Sequence, residues 1–320
     1  MKTKSIITPL ITGIHHVTAI AGNSQENLDF YTGVLGLRLV KRSVNQDDPG
    51  IYHLFYADAE GHPGSDLTFF PWTHMTSGQQ GVGLIIEVPL TVPIGSLDYW
   101  LNRLTYYNVA FDEVKLCFDE KSLSFRDPHG LKLSLVESND LRDFTSWQNS
   151  PVPEIYQIRG IHGVKTYQVK ITSIAQFLIT VLGFKLLAQE DNWYRFGIGG
   201  AGSYFDVFEI QNVSRGKWGV GSVHHVAWRV TDIDVALQIR KRIIAAGLHP
   251  TEVIDRFWFK SIYFFEPGGV LFELATDGPG FAIDEDLAKL GEQLILPPWL
   301  ESQRAQIEAV LPPLKLTYIT

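Results

Sequence analysis

The sequence predicts an α+β protein of four βαβββ modules that pair into two curved, barrel-like sheets, and three observations carry the prediction. Two distant segments share one strand-helix-strand pattern. Two others share a second pattern that closes in a Pro-Gly turn and an apolar strand. Each unit is too small to bury its own sheet face, so neighbouring units must join around a shared cavity.

The first module, 13–70, opens with the strand GIHHVTAI, continues with the amphipathic stretch QENLDFYTGVLG, and closes through alternating apolar runs at GSDLTFF. The third, 160–210, repeats it: GIHGVKTYQV matches the opening strand and FLITVLGFKLL matches FYTGVLGLRLV. Gly36 thus recurs as Gly183, and each suits a helix end that turns with positive φ. The second module, 81–136, runs from GVGLIIEV to RDPHGLKLSLVES, and the fourth, 221–276, from GSVHHVAWRV to FEPGGVLFELATD. Asp127-Pro128 then corresponds to Glu266-Pro267, with helices expected at about 96–107 and 234–246 between the ends. The order divides the chain into an N-terminal domain (1–137), a linker (138–159), a C-terminal domain (160–281) and a tail (282–320). The tail has helical periodicity broken at Pro297-Pro298 and stopped at Pro312-Pro313, and is expected to pack over a sheet or a cavity mouth.

Composition narrows the function. Of 320 residues, 45% are apolar and 19% charged, which suits a soluble globular protein. The single cysteine, Cys117, excludes an internal disulfide and a cysteine-based metal cluster, so any metal must be held by histidine and carboxylate. The net charge of −8 argues against nucleic acid or an anionic membrane as partner and points to a small molecule. No segment has the run of about 18 apolar residues of a membrane span, nor does MKTKSIITPLITG contain a signal h-region, so a cytoplasmic location is expected. GIGGAG at 197–202 lacks the strand-to-helix setting of a dinucleotide site and reads as a hairpin turn.

Equivalent positions in the four modules locate a candidate metal site. The second residue of each His-His pair marks an opening position held by His16, Leu84, Gly163 and His225. Counting from the last turn marks a closing position held by Thr68, Ser134, Asp206 and Glu273. Successive strand residues face opposite sides, so only one member of each pair can ligate on a given face. His162 aligns with His15 rather than His16, and the complete set becomes His16, His225 and Glu273. Two imidazoles and one carboxylate with open positions form the facial triad of non-haem Fe(II) oxygenases. The set requires modules one and four to lie side by side, with two and three paired between them. A lone strand histidine is more often a satisfied core residue, and His53, His62, His74, His129 and His249 are read as surface or loop residues. His53, in the alternating IYHLFY, is the best of these.

The long opening motif GIHHVTAIAGNSQENLDFYTGVLGLRLVKRSV, with VHHVAWRV and DRFWFKSIYFFEPGGVLFELATDGPGF, resembles ring-cleaving dioxygenases of the vicinal-oxygen-chelate (glyoxalase/bleomycin resistance/extradiol dioxygenase) superfamily, specifically the hydroquinone 1,2-dioxygenase-like branch. The likeness extends to the tail LPPWLESQRAQIEAVLPPL. It implies iron ligands at His16, His225 and Glu273, and catalytic or substrate-contacting roles for His15, Thr18, His224, Arg256 and Tyr263. Arg256 would stabilise developing negative charge, while Tyr263 and His15 or His224 would move protons. Thr18 shares the face of His16, whereas His15 and His224 need a bend in the strand to reach substrate.

The expected activity is Fe(II)-dependent ring cleavage of a hydroquinone-type or catechol-type diol by O2, with both oxygen atoms entering the product and no nicotinamide or flavin. The alternatives are a glyoxalase-like isomerase, against which stands Thr68 where a fourth ligand would sit, and a non-catalytic quinone-binding or drug-binding protein. Homo-oligomerisation is left open.

Overall fold

A computed structural model describes residues 10–139, 142–199 and 202–316. Module one forms β1 (Ile11–Ala21), α1 (Ser24–Leu28), β2 (Arg38–Asn45), β3 (Asp48–Ala57) and β4 (Asp66–Pro71). Module two forms β5 (Ile85–Val92), α2 (Leu97–Tyr106), β6 (Lys115–Cys117), β7 (Glu120–Arg126) and β8 (Lys132–Glu137). After the two-residue β9 (Gly160–Ile161), module three supplies β10 (Gly163–Gln168), α3 (Ile171–Phe177), β11 (Lys185–Glu190), β12 (Trp193–Gly197) and β13 (Tyr204–Glu209). Module four supplies β14 (Val223–Val230), α4 (Ile233–Ala245), β15 (Ile254–Asp255), β16 (Lys260–Phe265) and β17 (Leu271–Thr276).

The modules pair as the repeat requires. One sheet runs β15-β16-β17-β14-β1-β4-β3-β2, from modules four and one, and the other runs β11-β12-β13-β10-β5-β8-β7-β6, from modules three and two. In the first sheet Val17, Leu54, Leu67, Trp228, Ile262 and Leu274 face the apolar core. The opposite, concave face is polar although buried: His16, Thr18, Lys41, Ser43, Thr68, His225, Ser261 and Glu273 alternate with those core residues. Burying polar side chains is costly unless each is paired or serves a ligand, which singles out this face.

Local chemistry sets the helix ends. The Asn23 side chain caps α1 by accepting from the backbone N–H groups of Gln25 and Glu26 at 2.8 and 3.0 Å. The predicted helix over QENLDFYTGVLG is short, because from Asp29 to Val34 it widens into a π-helical turn before Gly36 reverses the chain at φ +71°. Module three repeats both features, with a π turn at Leu178–Leu182 and Gly183 at φ +81°. A Cβ on Gly36 would also lie 2.5 Å from Val152, so the linker packs where only glycine fits.

The GIGGAG segment joins antiparallel β12 and β13; its Gly200 and Ala201 lie outside the described residues. The tail is less helical than its periodicity suggests: among the described residues only α5 (Arg304–Val310) is an α-helix, preceded by short 3-10 turns, the last of which starts at Pro298. It packs on β2 through Leu296, Leu300 and Ile307 against Val44. Its first stretch is tied down by buried Lys41, whose ammonium donates to Asp284 at 2.7 Å, to the Phe281 carbonyl at 3.0 Å and to Glu285. Among the described residues no helix is long and apolar enough to cross a membrane.

Candidate metal centre

The centre forms where the first and last modules meet. Antiparallel pairing sets Thr18 opposite His225 and His16 opposite Ala227, and parallel pairing sets Ala227 level with Glu273. Three register shifts interrupt the β1–β14 ladder, and two of them fall at the His-His pairs. Its register steps from Ile14–Trp228 to His16–Ala227 and from Thr18–His225 to Ala19–Val223, leaving His15 and His224 as the extra residues. A bulge bends the strand and re-aims one side chain: His224 faces the same cavity as His16 and His225, whereas His15 does not.

His16 and His225 thereby point their Nε2 atoms at each other, 3.2 Å apart. Glu273 Oε2 completes a triangle, 3.3 Å from His16 Nε2 and 2.9 Å from His225 Nε2. Ligand atoms bound at about 2.1 Å and at right angles to one another lie about 3.0 Å apart, so this donor set fits one face of an octahedral divalent ion. The carboxylate is oriented for that role. Glu273 Oε1 accepts from Ser261 Oγ, whereas Oε2 is buried without a hydrogen bond. Burial opposes ionisation of Glu273, but the two imidazoles hold its carboxyl well below the usual range. Burial lowers His225 in turn, so its lone pair is free for a metal.

The other ring nitrogens of His16 and His225 face their neighbours in sequence. His15 and His16 approach Nδ1 to Nδ1 at 3.0 Å, and His224 and His225 do so at 2.8 Å. Burial, then the adjacent His16 and His225 respectively, push His15 and His224 down to about 3, so both rings are neutral at physiological pH.

The triangle opens on a cavity of about 530 Å³ walled by Phe55, Phe70, Trp72, Trp258 and Phe259, with His224, Arg256 and Tyr263 among its polar groups. Tyr263 is level with Glu273 in the β16–β17 ladder, so the Pro267-Gly268-Gly269 turn preserves the face. Burial and Glu273 raise its phenol above the ordinary value, against the opposing charge of Arg256, and it remains a proton donor. The Arg256 guanidinium lies 5.4 Å from the Tyr263 ring centre and forks onto Asp47 at 2.9 and 3.2 Å.

Two expected contacts fall elsewhere. His15 borders a separate cavity of about 170 Å³ with Glu60, His62 and Asp277, because its bulge turns it away from the aromatic pocket. Thr18 is fully buried and spends its hydroxyl on Thr68 Oγ1 at 2.8 Å instead of lining the pocket. Conversely, His53, grouped with surface histidines, lines the cavity, as the alternation in IYHLFY hinted. His129 is half-buried, accepting the Asn23 backbone N–H at 3.1 Å. His74 and His249 are exposed.

The second sheet shows why, among the described residues, its equivalent positions gather no such triangle. Lys165 pairs with Glu87 as Thr18 pairs with His225, and Pro89 lies level with Ser134 as Ala227 does with Glu273. The true counterpart of His225 is therefore Glu87 and not Leu84. Glu87 accepts from Lys165 Nζ at 2.6 Å and Ser134 Oγ at 2.8 Å, with Lys132 Nζ at 3.0 Å. Fixed ammonium groups stand where the first sheet gathers ligands. His162, in the same half of the molecule, lies 3.1 Å from Glu120 and 3.2 Å from Thr91 Oγ1, away from the triangle.

A polar concave sheet face with a buried two-histidine, one-carboxylate triangle defines a metal-centre fold of paired modules. The family model described as the glyoxalase/bleomycin resistance protein/dioxygenase superfamily matches residues 13–135 and 168–274, and the chain belongs to that superfamily. MhqO of Bacillus subtilis, named as a ring-cleaving dioxygenase, is 40% identical over 95% of this chain and 97% of its own length. The chlorohydroquinone/hydroquinone 1,2-dioxygenase of Sphingobium indicum is 33% identical over 93% of this chain and 95% of its own. A crystal structure of a Bacillus subtilis protein described as a dioxygenase superposes with a TM-score of 0.90 at 40% identity, covering 96% of this chain and 99% of that one.

Proposed function

We propose that the chain is an Fe(II)-dependent ring-cleaving dioxygenase of hydroquinone-type diols, acting in a reducing cytoplasm on a small aromatic and O2. The observation that carries this reading is the His16–His225–Glu273 triangle at the base of an aromatic-walled cavity. Relatives named as ring-cleaving and hydroquinone dioxygenases over nearly the whole chain support it.

When bound, Fe(II) would supply a redox-active cation with open positions on which a diol oxygen and O2 can lie side by side. The remaining work falls to the protein. Phe55, Phe70, Trp72 and Trp258 grip the ring and exclude water, which strengthens every polar contact within. Arg256 offers permanent positive charge to oxygen atoms that become anionic, and the Asp47 fork limits its motion. Tyr263, protonated and on the ligand face, donates a proton or hydrogen bond to the same oxygens. Thr68 stands beside Thr18 without a carboxylate, which disfavours a four-ligand isomerase site.

The test is O2 uptake by anaerobically purified protein reconstituted with Fe(II), using hydroquinone, methylhydroquinone and catechol. Stoichiometric uptake with a ring-opened product absorbing in the near ultraviolet is expected. Turnover of a glutathione hemithioacetal, with no uptake on any diphenol, would overturn the assignment.

A further inference from the structure

We infer that His53 is a substrate-recognition residue, held by a Thr18–Thr68–His53 hydrogen-bond chain in the tautomer that presents Nδ1–H to the ring oxygen not bound at the metal.

The chain crosses three adjacent strands. Thr18 of β1 is level with Thr68 of β4, Thr68 is opposite Phe55 of β3, and His53 lies two residues from Phe55 on the same face. Thr18 Oγ1 is 2.8 Å from Thr68 Oγ1, which is 2.9 Å from His53 Nε2. Direction follows from counting protons. Thr18 is fully buried and, among the described residues, its hydroxyl has no partner except Thr68, so it must donate there. Thr68 then has one proton left, and His53 Nε2 must accept it. The ring proton of a neutral His53 therefore sits on Nδ1.

Among the described residues Nδ1 has no hydrogen-bond partner and is not sealed in the core, while the residue lines the aromatic cavity. Phe55 and Phe70 pack on the ring at centroid distances of 3.8 and 4.4 Å, fixing its plane. Burial, followed by the nearby His16 and His225, lowers His53 well below its ordinary value, in keeping with a neutral ring. A fixed N–H favours a ligand with a second oxygen acceptor over one bearing a methyl group in its place, because the donor is otherwise left unpaired on binding. This assignment rests on the diol reading of the site, and it sharpens that reading by giving the second ring oxygen a partner.

The experiment uses Zn(II)-substituted protein, which is diamagnetic and inert to O2. Histidine 15N shifts read the tautomer directly, and anaerobic titration with hydroquinone and with 4-methylphenol reads discrimination. The expected result is an Nδ1–H tautomer for His53 and a preference for hydroquinone that shrinks about five- to tenfold in His53→Phe, with 4-methylphenol affinity unchanged. Thr68→Val, which leaves the cavity wall intact, should release the tautomer and remove part of the same preference, and Thr68→Ser should restore both. An Nε2–H tautomer in the wild-type protein, or an undiminished preference in His53→Phe, overturns the inference. Both measurements stand whether or not the Fe(II) protein consumes O2, so failure of the dioxygenase assay is distinguishable from failure here.

Discussion

The Nδ1 atoms of His224 and His225, neighbours in sequence, lie 2.8 Å apart across a bulge in β14. Between two facing nitrogens one proton must be shared. If His225 offers the Nε2 lone pair to a metal, its Nδ1 keeps the hydrogen and donates to His224. The same reasoning applies to His16 and His15 at 3.0 Å. His224→Phe and His15→Phe keep all three proposed ligands and should still weaken metal binding about 10- to 100-fold, measured by competition with a chromogenic chelator. Wild-type affinity in both variants would show that the pairs orient nothing.

The ligand assignment itself predicts a stability difference. Metal that binds only the folded chain at a hundredfold excess over Kd adds about 2.7 kcal/mol, so chelation should lower Tm measurably. That shift should vanish in His16→Ala, His225→Ala and Glu273→Gln. It should persist in His162→Ala, since His162 contacts Thr91 and Glu120 instead. A metal-dependent shift lost in His162→Ala and kept in His225→Ala would place the centre in the wrong sheet.

Tyr263 and Arg256 separate chemistry from metal binding. Tyr263→Phe removes the phenolic proton while leaving the ring beside His225, whose centroid is 5.6 Å away. It should lower kcat about 100-fold or more at unchanged iron content. Arg256→Lys loses the fork onto Asp47 and should lower kcat/KM, with an ammonium unable to restore the geometry. Unchanged kcat in Tyr263→Phe assigns the phenol to packing alone.

How much of this was legible in the sequence follows from what repeats. His16 and His225 are 209 residues apart, yet the recurrence of His-His at matched module positions joins them, because a shared cavity forces the modules to meet. The bulges were not legible: they insert one residue into a ladder and leave no composition signal, so the directions of His15 and His224 had to be seen. The register of module two is hidden in the sequence for a related reason. Its opening GVGL lacks the histidine that marks the other three opening strands, and the equivalence becomes visible only in the backbone, where Gly83 at φ +84° matches Gly221 at +83°. His53 escaped because its partner in the repeat is absent. Only the β3 face and Thr68 identify it.

Lys41 ties the tail to the cavity wall. Its buried ammonium faces Asp284 and Glu285 and lies 5.4 Å from the centre of the Trp258 ring, while Asp284 also accepts from Trp258 Nε1 at 2.9 Å. Lys41→Met leaves two carboxylates facing apolar side chains, and should cost about 3–5 kcal/mol in a denaturant titration. Hydrogen exchange should rise in 281–290 and around Trp258 together. Faster exchange confined to the tail would show that the wall does not depend on it.

Glu266 gives a pH dependence of defined sign. Only 2% exposed, its carboxyl accepts from the backbone N–H groups of Gly268 at 2.6 Å and Val270 at 2.8 Å, yet burial still pushes it from 4.5 up to about 7. With the folded value above the unfolded one, the native protein keeps a proton that the unfolded chain releases between pH 4.5 and 7. Stability contributed by this group is therefore full below about pH 4.5 and falls as pH rises through 7, by at most roughly 3 kcal/mol. Glu266→Gln cannot ionise, so its stability relative to wild type should improve from pH 5 to pH 8, read from urea midpoints at the two values. A relative stability that is flat or declines over that range would mean that the carboxyl ionises without penalty, its charge carried by the two backbone donors and the amide of Gln168 at 3.5 Å.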